Sequence, residues 1–357
     1  MATIFYSMMG EGRGHASRVR ALSEHLKPQH RLVLFAPDEA YEFLQPIYAN
    51  DPQVEVREIP GLRFQYRNGR MALGKTIATG LGFRARLRGM VGDLAETIRR
   101  EQPDLVLTDF EPLLPRAARE CGVPYLSVDH QHFLLGYDLS ILPWSLRQYA
   151  RVMAQFVRMF HRWQAATIVS GFFFPPLRAG YEDYVQVGTF LRPEVEAAET
   201  SPGDYILSYL RRNTPPGVLE VLAGCGCEVR IYGLGERPGE GNLRFFPIDQ
   251  YRFVEDMAGA AGLVSAAGNQ MLGEALYFGK PVLALPESSH HEQLINSHFL
   301  VHLGGGLWRP VEQLAASDVR EFFGRLDEFR EQIAPLREQL NGTPRTMAEI
   351  GRHLASR

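Results

Sequence analysis

The chain has 357 residues, 45% of them hydrophobic and 22% charged, with a formal net charge of -3. That length exceeds one ordinary core and suits two domains, while the composition excludes a disordered chain. The charge balance excludes a global attraction to nucleic acid.

Cys121, Cys225 and Cys227 supply neither a disulfide framework nor zinc-ligand spacing, and they read as buried thiols of a reducing compartment. The first residues show no charged segment leading into an apolar one. Nor does any apolar run approach the roughly 20 residues of a membrane helix. The expectation is a cytoplasmic protein that could touch a membrane from outside.

In chain order, "TIFYSM" (Thr3–Met8) reads as a buried strand. "GEGRGHASR" (Gly10–Arg18) follows, three alternating glycines that deliver one histidine to a helix start. Val19, Leu22 and Leu26 then mark one face of that helix, and "RLVLFA" (Arg31–Ala36) is a second strand. Gly10-x-Gly12 opens like a dinucleotide fingerprint, but His15 stands where the third glycine belongs. Asp38 also comes later than the ribose-binding acid of that fingerprint, and an NAD enzyme is rejected.

"GRMALGKT" (Gly69–Thr76) matches a phosphate loop in full. Such a loop follows a buried strand directly. The preceding "LRFQYRN" alternates apolar with polar and ends in a turn former, so a nucleoside triphosphatase is rejected too. From Gly61 to Gly92 there are seven basic residues (Arg63, Arg67, Arg70, Lys75, Arg84, Arg86, Arg88) and no acidic ones. This stretch reads either as a solvated face or as a surface for an anionic acceptor or a peripheral membrane contact.

"DLVLTD" (Asp104–Asp109) and "PYLSVD" (Pro124–Asp129) are further strands, and "TIVSGF" (Thr167–Phe172) reads as the last of this half. Between them, Trp144 to Trp163 mixes aromatic, aliphatic and arginine residues and reads as a core helix with snorkelling arginines, an interface helix being the alternative. Pro, Gly and acidic residues interrupt the pattern over Val187–Asp204. Strands resume at Tyr205–Leu210, Glu228–Leu234, Asn242–Ile248, Gly262–Ala267 and Pro281–Pro286, and the tail from Val319 is helical and charged. Strands alternating with helices argue for parallel sheets covered on both faces. The expected architecture is α/β, two Rossmann-like domains facing across a cleft. The expected divisions are 1–190, 191–335 and a C-terminal helix over 336–357 that packs back on the first domain.

The densest chemistry lies in Ser265–Ser297. A strand ends at Ala267, Gly268 admits a close ligand, and a helix begins near Gln270, which makes an anion site of free N–H groups and helix dipole. Glu274, in the following helix, could accept from both hydroxyls of a ribose whose diphosphate caps that helix. Past Pro286, Glu292, Gln293 and Asn296 supply acceptors and donors suited to sugar hydroxyls at another helix start. The adjacent His290 and His291 lack metal-ligand spacing. No paired-aspartate D-x-D ends a strand, so the reaction is expected to need no metal and no resident cofactor.

These residues resemble the nucleotide-sugar half of GT-B glycosyltransferases, near the inverting MurG-type and UDP-glycosyltransferase-type families. The match is G-x-x-x-x-x-E at Gly268 and Glu274, G-K-P at Gly279–Pro281, and [DE]-Q-x-x-N at Glu292, Gln293 and Asn296. The opening G-x-G-x-G-H-x-x-R resembles the acceptor-side loop of the same enzymes, with Gly12, Arg13, Gly14 and His15. The resemblance implies a UDP- or TDP-sugar donor as co-substrate. Its diphosphate would lie on Gly268, Asn269 and Gln270, its ribose on Glu274, and its sugar on His291, Glu292 and Gln293. The base would lie near Phe246–Ile248. Ala266 departs from the plant-type version, where a histidine often meets phosphate, so a cation such as Arg211 or Arg212 would help there.

Transfer needs a hydroxyl stripped of its proton, and a histidine does this near neutral pH. His15 is the candidate base. Asp109 is its expected orienting carboxylate, Asp129 the rival. The acceptor is an undetermined small molecule, glycan or lipid. Alternatives of the same fold are a nucleotide-sugar 2-epimerase and a non-catalytic nucleotide-sugar-binding protein.

Overall fold

The computed structural model describes residues 1–10, 13–61, 66–67, 70–71, 73–160 and 162–355, and their side chains except at 13, 66–67, 70–71, 73–85 and 160. It divides into two compact units, Met1–Arg192 with Gly342–Arg357, and Pro193–Asn341.

The first unit runs β1 (Thr3–Met8), α1 (Arg13–Leu26), β2 (Arg31–Ala36), α2 (Asp38–Tyr48), β3 (Val54–Glu58), a short pair β4 (Tyr66–Arg67) and β5 (Arg70–Met71), α3 (Leu73–Glu101) and β6 (Leu105–Asp109). It continues through α4 (Leu114–Glu120), β7 (Tyr125–Asp129), α5 (Phe133–Gly136), α6 (Trp144–Phe160), β8 (Ala166–Ser170) and β9 (Val185–Val187). The second unit carries α7 (Pro193–Ala197), β10 (Ile206–Tyr209), α8 (Pro216–Ala223), β11 (Val229–Tyr232), β12 (Leu243–Phe245), α9 (Gln250–Ala258) and β13 (Gly262–Ser265). There follow α10 (Asn269–Tyr277), β14 (Val282–Ala284), α11 (His291–His302), β15 (Gly306–Trp308), α12 (Ala316–Gly324), α13 (Leu326–Ile333) and α14 (Arg337–Leu340). The last helix, α15 (Thr343–Ala355), belongs to the first unit, where Ile350 joins the core beside α1.

The first sheet has the order β3-β2-β1-β6-β7-β8-β9 and the second β12-β11-β10-β13-β14-β15. All pairings within both sheets are parallel. In each sheet the chain starts centrally, winds outward one way, then crosses back to the other side of its first strand. Ligands bind outside the carboxyl ends of the strands where that direction reverses. The reversals lie between β1 and β6 and between β10 and β13.

Burial on both faces explains why these strands read as unbroken apolar runs. Along β1, Ile4, Tyr6 and Met8 enter one core with α1 and α15, while Phe5 enters another with Val91, Leu94, Ala95 and Ile98 of α3. Three strands escape the sequence pattern. Edge strand β3 alternates, with Glu55 and Arg57 outside its buried core, and β9 and β15 have three residues each. The first sheet therefore closes on β9, one strand beyond Thr167–Phe172.

The G-K-P turn is structural. Gly279 adopts φ 70 after α10, a left-handed position that glycine takes without strain. The Lys280 ammonium is buried and donates to Ser201 O at 2.6 Å, and burial lowers it to about 8. Cys225 and Cys227 are free and half-buried rather than buried, their Sγ atoms 3.6 Å apart. The phosphate-loop match lacks its strand, since β4 and β5 form an antiparallel pair and Gly74 and Lys75 already lie in α3; Gly69 and Ala72 lie outside the described residues. Of the seven basic residues in 61–92, only Arg86 and Arg88 have described side chains, and both are exposed. No helix among the described residues is long and apolar enough to cross a membrane.

Candidate active site

In the first unit, β1 and β6 pair side by side with Met8 opposite Asp109, and Met9 N donates to Asp109 O at 3.1 Å. The segment after β1 is thereby tied to the end of β6. Gly10 is required there, because a Cβ would meet Pro37 O at 2.7 Å. Close packing against the turn after β2, not access for a ligand, is what this glycine serves. Gly12 lies outside the described residues, as does the side chain of Arg13, and Gly14 is the second residue of α1.

His15 follows in the first turn of α1. Its Nδ1 lies 3.0 Å from Asp109 Oδ1, across 94 residues of sequence. Its Nε2 makes no hydrogen bond among the described residues. Asp109 is fully buried at the end of β6, and Phe110 after it turns at φ 62, a left-handed conformation costing on the order of 1–3 kcal/mol outside glycine. Asp129 does not reach His15. It accepts Ser127 Oγ at 2.6 Å and His132 N at 3.0 Å, and its Oδ2 lies 2.7 Å from His132 Nδ1.

The structure adds a residue that sequence reasoning left without a role. Arg18, one helical turn after His15, is buried and grips Asp109 with both arms, Nε to Oδ2 at 2.8 Å and Nη2 to Oδ1 at 2.7 Å. Burial alone would raise the Asp109 carboxyl, but the Arg18 guanidinium and His15 outweigh it and hold the group below its ordinary range. Arg18 Nη2 also lies 3.1 Å from His15 Nδ1. A guanidinium only donates and a carboxylate only accepts. A ring protonated at Nδ1 donates to Asp109 Oδ1 and leaves Nε2 bare. The Tyr6 phenol shares this interior, where burial and then Asp109 push its ionisation well up and keep it neutral. The signal for Arg18 was its spacing, three residues after His15 on a helix whose other face is core.

In the second unit, Gly268 caps α10 with no side-chain bond to the helix, and Leu272 N donates back to Gly268 O at 3.0 Å. A Cβ at Gly268 would meet nothing within 4 Å. Asn269 is buried, and neither atom of its amide meets a partner among the described residues. Buried polar atoms are seldom left so. Glu274 is also buried and accepts from Gln270 Nε2 at 2.9 Å. At the reversal beside this helix is a small pocket whose lining includes Tyr209, Leu210, Arg211, Thr214, Ala266 and Glu287. Arg211 Nη1 donates to Glu287 Oε1 at 3.2 Å there.

Asn296 and Gln293 point into the fold. Asn296 Nδ2 donates to Ala267 O at 3.0 Å, and Gln293 Oε1 accepts Glu287 N at 3.0 Å. They brace the two loops after β13 and β14. His290 caps α11 by accepting from Gln293 N, while His291 is exposed and Glu292 half-buried. Phe246 stacks on Tyr232 with ring centroids 5.4 Å apart and carries the Arg252 guanidinium on its face; Ile248 is exposed. Among the described residues no group of three His, Cys, Asp or Glu side chains is placed to hold a metal ion.

A profile of glycosyl transferase family 1 matches residues 2–327. No curated protein sequence matches the chain. Similar solved structures include the calicheamicin glycosyltransferase CalG4, at 18% identity and TM-score 0.67 over 99% of this chain and 98% of that one. Medicago truncatula UGT71G1, complexed with UDP-glucose, is 15% identical with the same score and coverage. Phytolacca americana UGT2, complexed with UDP-2-fluoro-glucose and pterostilbene, is 12% identical with TM-score 0.71 over 98% of each chain.

Proposed function

The chain belongs to glycosyl transferase family 1 and has the GT-B fold, and from that premise we propose that it transfers a sugar from a UDP- or TDP-sugar to an acceptor hydroxyl with inversion, His15 acting as general base. The observation that carries this reading is the His15–Asp109 contact beside an unbonded Nε2. Nε2 takes the proton of the acceptor hydroxyl. Asp109 fixes the tautomer and stabilises the cation that forms. The hydroxyl oxygen attacks the anomeric carbon as its bond to the diphosphate breaks, and one in-line displacement inverts that centre.

The donor belongs to the second unit. The N-terminus of α10 and the unsatisfied Asn269 amide suit the diphosphate. Glu274 suits the two ribose hydroxyls as the acceptor now serving Gln270. Arg211 is the nearby cation, already paired to Glu287. A thermal-shift screen with UDP, TDP, GDP, ATP and NAD should find UDP or TDP the best stabiliser, since stabilisation grows with ligand saturation. Glu274→Ala should weaken that nucleotide by about 1.5–3 kcal/mol, the worth of hydrogen bonds to a charged group. Preference for ATP or NAD, or an unchanged affinity in the variant, would refute the donor assignment.

We further propose that the leaving diphosphate is met by the α10 terminus without a divalent ion. Transfer in EDTA should keep its rate. Loss of activity restored by magnesium or manganese would overturn this.

A further inference from the structure

Trp144 to Trp163 does not form the core helix its sequence suggests. Leu146, Ala150, Ala154 and Val157 of α6 are buried, and they account for one face. A second apolar face is turned outward. Ile141, Trp144, Val152, Phe156, Met159 and Trp163 are exposed, Trp144 by 70% and Trp163 by 64%, and they make up six of the eleven exposed large hydrophobics among the described residues. Scattered single apolar residues are ordinary on a surface, but a concentration of this kind marks an interaction site.

The charges beside it have one sign. No acidic residue occurs between Asp138 and Glu182, a span with five arginines, although acids make up 41 of the 357 residues overall. At about 100° per residue, Val152, Phe156 and Met159 share one sector, with Trp144 at its edge and Arg151 and Arg158 bordering that side. Both arginines are exposed. Arg158 donates to the Tyr181 hydroxyl at 2.8 Å, and the Arg119 guanidinium lies 3.4 Å above the Trp163 ring.

We propose that the outer face of α6 is a membrane-docking surface that lies in the headgroup region of an anionic bilayer. An apolar stripe with a tryptophan at its start and an arginine border is what a helix lying in that plane needs, because aromatic rings settle at the interface and arginines attract acidic headgroups. Acidic headgroups would supply the counter-charges that the chain itself lacks between Asp138 and Glu182. None of these residues belongs to the donor or base set, and vesicle binding can be measured without sugar transfer.

The test is flotation with vesicles of phosphatidylglycerol and phosphatidylcholine in equal parts, against phosphatidylcholine alone. The protein should float with the mixed vesicles and less with the neutral ones, and added salt should narrow the difference. Trp144→Ser with Phe156→Ser and Met159→Ser alters only exposed side chains, and it should weaken binding at least tenfold with the thermal midpoint unchanged. Arg151→Glu with Arg158→Glu should abolish the preference for the anionic vesicles. No flotation would overturn the proposal. So would binding that survives the α6 variants but fails in Arg86→Glu with Arg88→Glu, which would assign contact to α3. A dimer that the triple variant turns into a monomer, with no vesicle binding, would show that a second copy covers the face.

Discussion

His15→Ala is expected to slow sugar transfer by about 10²–10⁴-fold, the usual worth of a positioned base. Nucleotide affinity should stay near that of the parent, because the residues proposed for the donor belong to the second unit and His15 to the first. KM for the donor should therefore hold while kcat falls. The parent enzyme's product, examined by NMR at its anomeric carbon, should have inverted configuration. A parental rate in the variant would make His15 a helix-start residue without chemistry. An equal loss of nucleotide affinity would place it at the donor, and a retained product would require a different mechanism.

Arg18→Met is expected to be costly for the fold itself. It leaves Asp109 buried without its cation, and breaking a buried pair from one side costs about 3–5 kcal/mol. For a unit of this size the thermal midpoint should fall on the order of 10 °C. The pH dependence should also change sign. In the parent, Asp109 is held below its unfolded range, so its contribution is present above that range and is lost as pH falls through the lower folded value. In the variant, burial is the dominant influence and raises the carboxyl. A raised carboxyl is most tolerable below the unfolded value of about 3.9, and stability then falls as pH rises from there. Melting curves from acid to neutral pH should show the deficit widening with pH. Replacing both partners, Arg18→Met with Asp109→Leu, should recover most of the stability while transfer stays low, since the base loses its orienting carboxylate. A variant as stable as the parent at every pH would show that the guanidinium does not hold Asp109 ionised.

These two residues show how the site divides between levels. The sequence placed His15 at a helix start and Asp109 at a strand end, because a buried parallel strand leaves an apolar run and a stop. It also singled out the Gly268–Glu274 junction, which is local: one strand end, one cap and one turn of helix. Arg18 was in plain view in the opening motif, yet its partner lies 91 residues away, and no periodicity announces a bond across two strands. The choice between Asp109 and Asp129 was open for the same reason. Both end buried strands, and only the pairing of β6 directly against β1 sets Asp109 beside the helix that carries His15.

Asn296 and Gln293 illustrate the opposite case, polar residues at a helix start that suit a sugar on paper and turn inward to brace two loops. On α6 the sequence showed an amphipathic mixture but could not say which apolar face met the core. Local pattern thus determined the apolar-run strands, their parallel arrangement and the two strand-to-helix junctions, because hydrogen bonding and burial act within a few residues of each. The tertiary structure alone decided which carboxylate meets the histidine, which cation holds it, and which face of α6 is left to solvent. Those outcomes depend on the order of strands in the sheet, where residues remote in sequence compete for the same few ångströms.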